Sequence, residues 1–331
     1  MTRNTLLLDR STVEAYAEPA AVVDAVEQAF AAAADGDAIQ PAKSYVELPQ
    51  YNGDFRSMPA YLDAGEWDAA GVKWVNVHPD NPADHDLPTV MGTMLYADPE
   101  TGVPLAILDG TALTMARTGA AAAVATKYLA REDASSLGLV GAGAQSYSQL
   151  EAIATVRAID EVVVADQDDE RVAAFLERYD GRFDVREGDV ADAVASDVVS
   201  TVTPVREPIV DRAAVGEHTH VNAIGADAPG KHELADDLLT AATIVIDDHE
   251  QCTHSGEINV PYAEGVLTDA DIHAELGDVV VGDAPGRTDE TGITVFDSTG
   301  LAIQDLAAAH VVYEHALEGE EGRDVDLYGL A

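Results

Sequence analysis

Apolar positions in the first third of the chain predict a helix followed by a sheet. Val22, Val26 and Phe30 recur at helical spacing after Pro19, and the pattern stops near Gly36. Short β-type runs, each bounded by Gly, Pro, Asn or Asp, follow at residues 44–48, 71–77, 90–96 and 104–108. We therefore expect a mixed domain with one curved, largely antiparallel sheet.

The pattern changes after a long alanine-rich segment at residues 111–131, which has high helix propensity and is expected to link two domains. Beyond it, short apolar runs alternate with helical stretches, which is typical of βαβ units and a parallel sheet. These runs cover residues 137–140, 161–165, 197–203, 220–224, 243–246 and 293–296. A final helical stretch at 300–317 carries an apolar stripe and is expected to pack on the first domain. The predicted fold class is α/β.

A glycine turn joins the first apolar run of the second domain to a helical pattern at residues 147–157. The run Gly141-Ala142-Gly143-Ala144-Gln145-Ser146 follows the strand directly. Gly141 permits a tight turn, Gly143 lets the backbone approach a pyrophosphate, and the helix N-terminus offers N–H groups to the phosphates. The order of strand, glycine turn and helix predicts a Rossmann-type dinucleotide site.

Further candidates for this site follow the other strands of the parallel sheet. Asp166 comes 23 residues after Gly143, near the spacing of an acid that binds a ribose 2′-hydroxyl, although it could be an ordinary turn residue. A carboxylate there favours NAD over NADP, because a 2′-phosphate would meet Asp166 and Asp168. Thr203, Asp227 and Ser298 also follow strands, where either ligand binding or turn chemistry explains them.

The net charge of the chain excludes some classes of binding partner and indicates the cellular environment. The 331 residues include 18 Lys plus Arg and 61 Asp plus Glu, which gives a formal net charge of −43. Such a charge repels nucleic acids and anionic membranes, so neither is an expected partner. A 47% hydrophobic content indicates a folded chain and not an acidic disordered one. Our hypothesis is a halophilic protein from the cytoplasm of a salt-accumulating cell.

Cysteine and histidine usage indicates neither disulfides nor a metal centre. Cys252 is the sole cysteine, and the apolar run near the start is too short for a signal peptide, so a cytoplasmic location is expected. His218, His220 and the run 247–250 lack a recognised zinc spacing. We therefore expect no metal.

Five further motifs complete a specific set with the glycine turn. They are Phe55-Arg56-Ser57-Met58-Pro59-Ala60, the run 71–82, Arg117-Thr118-Gly119, the run 225–234 and Asp297-Ser298-Thr299-Gly300. On these residues the chain resembles the ornithine cyclodeaminase/mu-crystallin family over nearly its whole length, and within it the archaeal alanine dehydrogenases. The resemblance implies a Rossmann domain at 116–302 that binds NAD, and a second, α+β domain at 1–115 and 303–331 that binds substrate and forms a homodimer.

The resemblance also implies roles for individual residues. Arg56 would bind the substrate carboxylate, Lys73 would be the catalytic lysine, and Asp227 would stand beside substrate and nicotinamide. The residues implied to contact the cofactor are Arg117, Thr118, Gly141, Gly143, Ala144, Gln145, Asp166, Thr203, Asp227 and Ser298. The chemistry suits these roles, because a guanidinium binds a carboxylate bidentately and an ammonium polarises a C2 oxygen. The alternatives are a surface ion pair for Arg56 and a solvent-facing position for Lys73.

Lysine scarcity supports a functional Lys73, because the chain has only four lysines, and Lys73 and Lys231 both lie in the motifs. The leading hypothesis is an alanine dehydrogenase that interconverts L-alanine with pyruvate and ammonium. The alternatives are an ornithine cyclodeaminase, a ketimine reductase and a non-catalytic NAD(P)H-dependent binding protein. Arg56 favours the alanine dehydrogenase hypothesis, since cyclodeaminases tend to have a glutamate at this position. Trp74 and Phe296 are expected in the core.

The acidic composition predicts that stability depends on salt. At molar salt the Debye length is about 3 Å, so self-repulsion no longer opposes folding. We expect the melting temperature to rise as KCl increases from dilute buffer to molar concentration, measured by differential scanning fluorimetry. Equal melting temperatures in both would contradict the halophilic hypothesis.

Overall fold

A computed structural model describes residues 4–329. The chain divides into two compact units. The first contains the described residues up to Arg117 and those from Leu301 onward, and the second contains Thr118–Gly300. The boundary after Arg117 falls inside the helix Gly110–Leu129.

The helices and strands, in chain order, are β1 (Thr5–Leu8), α1 (Arg10–Tyr16), α2 (Pro19–Asp35), β2 (Ala38–Ile39), β3 (Ser44–Leu48), β4 (Gly53–Asp63), β5 (Asp68–Val77), α3 (Asn81–Asp84), β6 (Val90–Ala97), β7 (Pro104–Asp109), α4 (Gly110–Leu129), β8 (Ser136–Val140), α5 (Ala144–Val156), β9 (Glu161–Ala165), α6 (Asp169–Tyr179), β10 (Asp184–Glu187), α7 (Val190–Val194), β11 (Val198–Thr201), β12 (His220–Ala223), α8 (Asp236–Ala241), β13 (Thr243–Ile246), α9 (His249–Ser255), α10 (Asn259–Ala263), β14 (Ile272–Glu275), α11 (Leu276–Val281), β15 (Thr294–Asp297), α12 (Ala302–Glu318) and β16 (Arg323–Val325). Short 3₁₀ turns lie at Pro49–Tyr51, Arg212–Ala214 and Asp269–Asp271. None of the helices in residues 4–329 combines the length and hydrophobicity needed to cross a bilayer.

The predicted first helix is confirmed as α2, and its ends show why it forms there. The Glu18 carboxylate accepts the N–H groups of Ala20 and Ala21 at 3.2 and 2.7 Å, and Pro19 occupies the first helical position. Gly36 ends the helix in the left-handed conformation with φ 84°. Helix α2 buries its apolar stripe in the first unit.

The sheet of the first unit is largely antiparallel, as predicted. Its hydrogen-bonded order is β16-β1-β7-β6-β5-β4-β2, with β3 also paired to β4, and only β1 and β7 are parallel neighbours. One face is buried against α2 and α12, so the prediction that the last helix packs on the first domain is confirmed. Strand β4 was absent from the strands predicted above, because Gly53 and Pro59 interrupt its β-type pattern.

The expected burial of Trp74 was wrong, because this residue lies on the other face of the sheet. Trp74 was expected in the core, but it is 45% exposed and stacks on Phe55 with ring centroids 5.1 Å apart. The register of β4, β5 and β6 places Trp74 on the face opposite Lys73, because successive strand residues alternate between faces. Phe296, the other residue expected in the core, is fully buried.

The second unit is built on an eight-stranded sheet in which every pair is parallel. Its order is β10-β9-β8-β11-β12-β15-β13-β14, so β8 lies between β9 and β11 and the chain reverses direction across the sheet there. Strands β11, β12 and β15 are buried along their whole length, as expected for a parallel sheet with both faces covered. The predicted α/β class with a Rossmann-type sheet is confirmed. Ligands bind at such a reversal, at the carboxyl ends of the strands.

Candidate active site

A buried ion cluster in the first unit holds Lys73. Lys73 lies on β5, is 2% exposed, and points to the face that helix α12 covers. Its Nζ lies 2.8 and 2.7 Å from the two carboxylate oxygens of Asp305 and donates to the Thr114 hydroxyl at 3.1 Å. Arg117 donates from Nε to the same Asp305 carboxylate at 3.1 Å. One carboxylate on α12 therefore pairs with two buried basic side chains, one from β5 and one from α4.

Burial and its neighbours set the proton affinity of Lys73. Burial lowers the pKa of the Lys73 ammonium to about 7, with Asp305 raising it and the Arg117 charge lowering it further. A lysine with a pKa near neutrality can both donate and accept a proton under cellular conditions. The solvent-facing alternative for Lys73 is therefore wrong.

Arg56 shares a sheet face with Lys73. On β4 it pairs with Val75 of β5, two residues from Lys73, so the two side chains are diagonal neighbours on one face. The Arg56 guanidinium donates from Nε and Nη2 to Asp54 at 2.9 and 3.3 Å, and lies 5.4 Å from the centre of the Tyr45 ring. The side chain of Arg56 is 12% exposed, so it belongs to a largely buried ion pair rather than to the surface pair considered above.

The glycine turn lies at the reversal point of the second unit. Gly141 has φ 108°, a conformation that side chains rarely adopt, and a Cβ on it would lie 3.0 Å from the Val202 side chain. At Gly143, in contrast, a Cβ would meet nothing within 4 Å, so the backbone borders open space. Gly143 is the N-cap of α5, with no side-chain cap, so Ala144 and Gln145 begin a helix whose first N–H groups have no intrahelical acceptor. This geometry fits a pyrophosphate.

Asp166 and Asp168 lie beside this turn. The Asp166 carboxylate accepts the N–H of Ala142 at 2.6 Å and the N–H of Asp168 at 2.9 Å. These contacts place an acid next to the glycine turn, and a carboxylate has further lone pairs for a ribose hydroxyl. Asp168 caps helix α6 by accepting the N–H groups of Glu170 and Arg171.

Two of the three candidate residues at the other strand ends are held by buried carboxylates, and the third is paired with a lysine. Thr203 donates from its N–H and its hydroxyl to Glu233 at 2.8 and 2.7 Å. Ser298 donates its hydroxyl to Asp247 at 2.8 Å. Asp227 forms an ion pair with Lys231, four residues further along the same loop. All three side chains lie at the carboxyl edge of the parallel sheet, where the spacing of the motifs predicts them.

Arg117 and Thr118 are neighbours on α4 with different surroundings. Arg117 contacts Asp305 and donates from Nη1 to Gln304 at 3.2 Å, so its described partners belong to the Lys73 cluster. The carbonyl of Thr118 accepts from Gln149 of α5 at 3.3 Å, which places it beside the helix that follows the glycine turn. Contact of either residue with cofactor phosphates stays a prediction.

Sequence reasoning missed Asp305, Glu233 and Asp247. Asp305 and Glu233 are fully buried and Asp247 is 4% exposed, and each accepts hydrogen bonds from residues named above. The run Ala302-Ile303-Gln304-Asp305-Leu306 offered one signal, because an acid amid an apolar helical stripe faces the core.

Histidines do not form a metal centre in the part of the chain that the structure describes. No group of three or more His, Cys, Asp or Glu side chains there could hold a metal ion. His220 is fully buried between Thr294 and Asn222, and burial lowers its pKa to about 3. It hydrogen-bonds as a neutral ring inside the sheet.

The second unit thus has the fold and the glycine turn of a Rossmann-type dinucleotide-binding domain, and the first unit is an α+β domain with a buried lysine and arginine. The chain belongs to the ornithine cyclodeaminase/mu-crystallin family, whose sequence profile matches residues 3–320. This finding confirms the resemblance that the motifs indicated.

Individual relatives cover almost the whole chain. It is 46% identical to an alanine dehydrogenase of Archaeoglobus fulgidus over 98% of this chain and 99% of the relative. A solved archaeal alanine dehydrogenase dimer with bound NAD superposes with a TM-score of 0.93 at 45% identity, covering 98% of this chain and 100% of that one. The Δ¹-pyrroline-2-carboxylate reductase of Thermococcus litoralis, solved with NADH and L-proline, gives a TM-score of 0.91 at 37% identity, covering 97% and 100%.

Replacing Asp305 should destabilise the first unit strongly. The Asp305→Asn variant leaves buried cations without their counter-charge, and we expect a loss of about 3 to 5 kcal/mol in unfolding free energy. Urea unfolding followed by tryptophan fluorescence measures it, because both tryptophans, Trp67 and Trp74, lie in this unit.

The matched control is Glu14→Gln, which removes the exposed pair with Arg10 in the same unit. We expect it to change stability by less than about 1 kcal/mol. Similar losses for the two variants would show that Asp305 does not balance the buried charges.

Proposed function

We propose that this chain is an NAD-dependent alanine dehydrogenase, which interconverts L-alanine with pyruvate and ammonium. The observation that carries the proposal is the pairing of Arg56 and buried Lys73 on one sheet face, in a chain that also contains a Rossmann-type unit. A guanidinium and an ammonium placed as diagonal neighbours match the carboxylate and the C2 oxygen of a small 2-oxo acid.

In the proposed reaction, two residues of the first unit act on the substrate: Arg56 and Lys73. Arg56 binds the substrate carboxylate, and Asp54 and Tyr45 restrict its guanidinium so that little orientation is lost on binding. Lys73 in its charged form polarises the C2 oxygen and donates a proton during loss of water. In its neutral form it accepts a proton when the amine adds, which its pKa of about 7 permits.

The second unit supplies the cofactor contacts in this proposal. Gly141, Gly143, Ala144 and Gln145 hold the pyrophosphate, and Asp166 binds the adenosine ribose and disfavours NADP. Thr203 and Ser298 lie on the nicotinamide side, and Arg117 and Thr118 contact the phosphates. Asp227, whose charge Lys231 balances, relays protons. NAD held by these residues would supply the hydride acceptor for the oxidative direction, and NADH would supply the hydride donor for the reverse.

Two other activities of the same family use similar groups. An ornithine cyclodeaminase would return the hydride to a ring imine, and an imine reductase would act on a preformed cyclic ketimine. The similarity to the Thermococcus litoralis reductase favours the imine reductase as the alternative to alanine dehydrogenase. A non-catalytic NAD(P)H-dependent binding protein would need neither Arg56 nor Lys73.

An assay of NADH formation separates these functions. Purified protein in molar KCl with NAD should accumulate NADH with L-alanine, followed by absorbance at 340 nm, and should form no proline from L-ornithine. Lys73→Ala should lower this rate by about 10²-fold or more, because a proton-transfer group contributes about 10² to 10⁴.

The matched control is Lys127→Ala, because Lys127 is exposed near the end of α4 and has no part in the proposal. Its rate should stay at the wild-type level. Proline and ammonia from L-ornithine without NADH would contradict the proposal, and so would full activity of Lys73→Ala.

The outer face of the first sheet supports a homodimer. The apolar side chains on this face that are partly or substantially exposed include Phe55, Pro59, Tyr61, Val72, Trp74, Leu95 and Ile107. A contiguous apolar face of this kind indicates a protein–protein interface. The solved archaeal alanine dehydrogenase is a dimer. We propose that this chain forms a homodimer and that the outer face of its first sheet is the interface. The acidic composition leads us to place the enzyme in the cytoplasm of a salt-accumulating cell.

Trp74→Asp should weaken the dimer, because it introduces a charge into the proposed apolar interface. Light scattering after size exclusion in molar KCl should show a shift toward the monomer mass. Val266→Asp is the control, since Val266 is similarly exposed at 42% but belongs to the second unit. A dimer unaffected by Trp74→Asp would place the interface elsewhere.

A further inference from the structure

Three buried carboxylates in the second unit have no part in the proposed reaction. Glu233, Glu257 and Asp297 are each 0% exposed. Burial raises the pKa of all three, and the charge of Glu233 raises that of Glu257 further. Buried acids are costly unless hydrogen bonds satisfy them, so their retention at this place needs a physical reason.

The three acids form a series in which each carboxylate binds the backbone that carries the next. Asp297, the last residue of β15, accepts the N–H groups of Glu257 and Ile258 at 2.8 and 3.1 Å. The Glu257 carboxylate in turn accepts the N–H groups of Glu233 and Leu234 at 2.8 and 2.6 Å. The position of Glu233 therefore depends on two other carboxylates.

The series ends at the carboxyl edge of two neighbouring strands. Glu233 Oε1 accepts the N–H and the hydroxyl of Thr203, after β11. Its Oε2 accepts the hydroxyl of Thr201 at 2.7 Å and the N–H of Gly225, after β12, at 3.0 Å. Gly225 approaches so closely that a Cβ on it would overlap the Thr203 carbonyl and the Glu233 carboxylate. One side chain thus joins Thr203 to the segment that leads to Asp227.

We propose that Glu233 is a positioning residue: its carboxylate, held through Glu257 and Asp297, fixes Thr203 and the Gly225–Asp227 segment in the arrangement that the nicotinamide end of the cofactor requires. The inference rests on the proposed function and adds to it a group that acts through its neighbours. Four donors meet this carboxylate, and two of them are backbone N–H groups that can never accept.

The near-isosteric variant Glu233→Gln tests this role. The amide oxygen of the glutamine can accept the hydrogen bonds from Thr203, and the Thr201 hydroxyl can rotate to accept one from the new NH₂ group. The Gly225 N–H, however, then faces a second donor and loses its acceptor. We expect faster hydrogen exchange at the Gly225 amide and a fall of about tenfold to a hundredfold in kcat, because small misplacements near reacting groups cost up to about 10²-fold. NADH binding, measured by fluorescence titration, should weaken less than kcat falls.

Thr201→Val is the matched control. It removes a hydrogen bond to the same carboxylate while leaving the bonds of Glu233 to Thr203 and Gly225 intact, so kcat and the Gly225 exchange rate should stay at wild-type values. A merely structural role for Glu233 would instead lower the melting temperature of both variants and leave kcat per folded molecule unchanged.

The outcomes decide between the roles even if one variant fails to fold. Should Glu233→Gln not fold, Glu257→Asp keeps the Glu233 carboxylate but withdraws the acceptor of the Glu233 and Leu234 N–H groups by one methylene, and we expect the same changes to a smaller extent. Unchanged kcat and unchanged Gly225 exchange in the folded variant would overturn the proposal. The exchange and NADH-binding measurements do not depend on the substrate, so they test Glu233 even if L-alanine is not oxidised.

Discussion

The first unit depends on one constraint, the burial of a lysine ammonium. A buried cation is tolerated only with a counter-charge and hydrogen bonds, and Asp305 and Thr114 provide both for Lys73. Because Asp305 lies on the last helix, the end of the chain must return to the first sheet before the charge on β5 can be balanced. The same carboxylate holds Arg117 on α4. The fold of the unit and the chemistry proposed for it therefore rest on the same contact.

The second unit meets a different requirement, which is to hold loops in place at the edge of a parallel sheet. Strands β11, β12 and β15 are neighbours, and the loops after them carry polar residues at the carboxyl edge of the sheet. Their backbone N–H groups need acceptors away from water, and Glu233, Glu257 and Asp297 supply carboxylate oxygens. Acids thus act here as structural acceptors, while most other acids of this chain lie at its surface.

Because the chain is so acidic, its few basic residues are the more informative ones for locating a functional site. In a chain with 61 acidic and 18 basic residues, an exposed acid carries little information, whereas Arg56, Lys73 and Arg117 are each largely buried with a carboxylate partner. Scarcity of lysine drew attention to Lys73, which the structure buries beside the Asp305 carboxylate. The same abundance of acids hid Asp305 and Glu233, because nothing local distinguishes a buried aspartate from the many that are solvated.

The sequence by itself determined the class of both sheets, the positions of ten strands and of the four longest helices in residues 4–329, the glycine turn and the family. These features depend on hydrophobic periodicity and on residues within one short segment, which a sequence displays directly. Strand β4, with Gly53 and Pro59, and the exposed position of Trp74 were missed because register, and not composition, decides which residues a sheet face buries. Only the tertiary structure decided the charge partners: Asp305 is 232 residues from Lys73, and Glu257 lies 24 residues from Glu233. Contacts over such separations arise from packing, so local pattern carries no record of them.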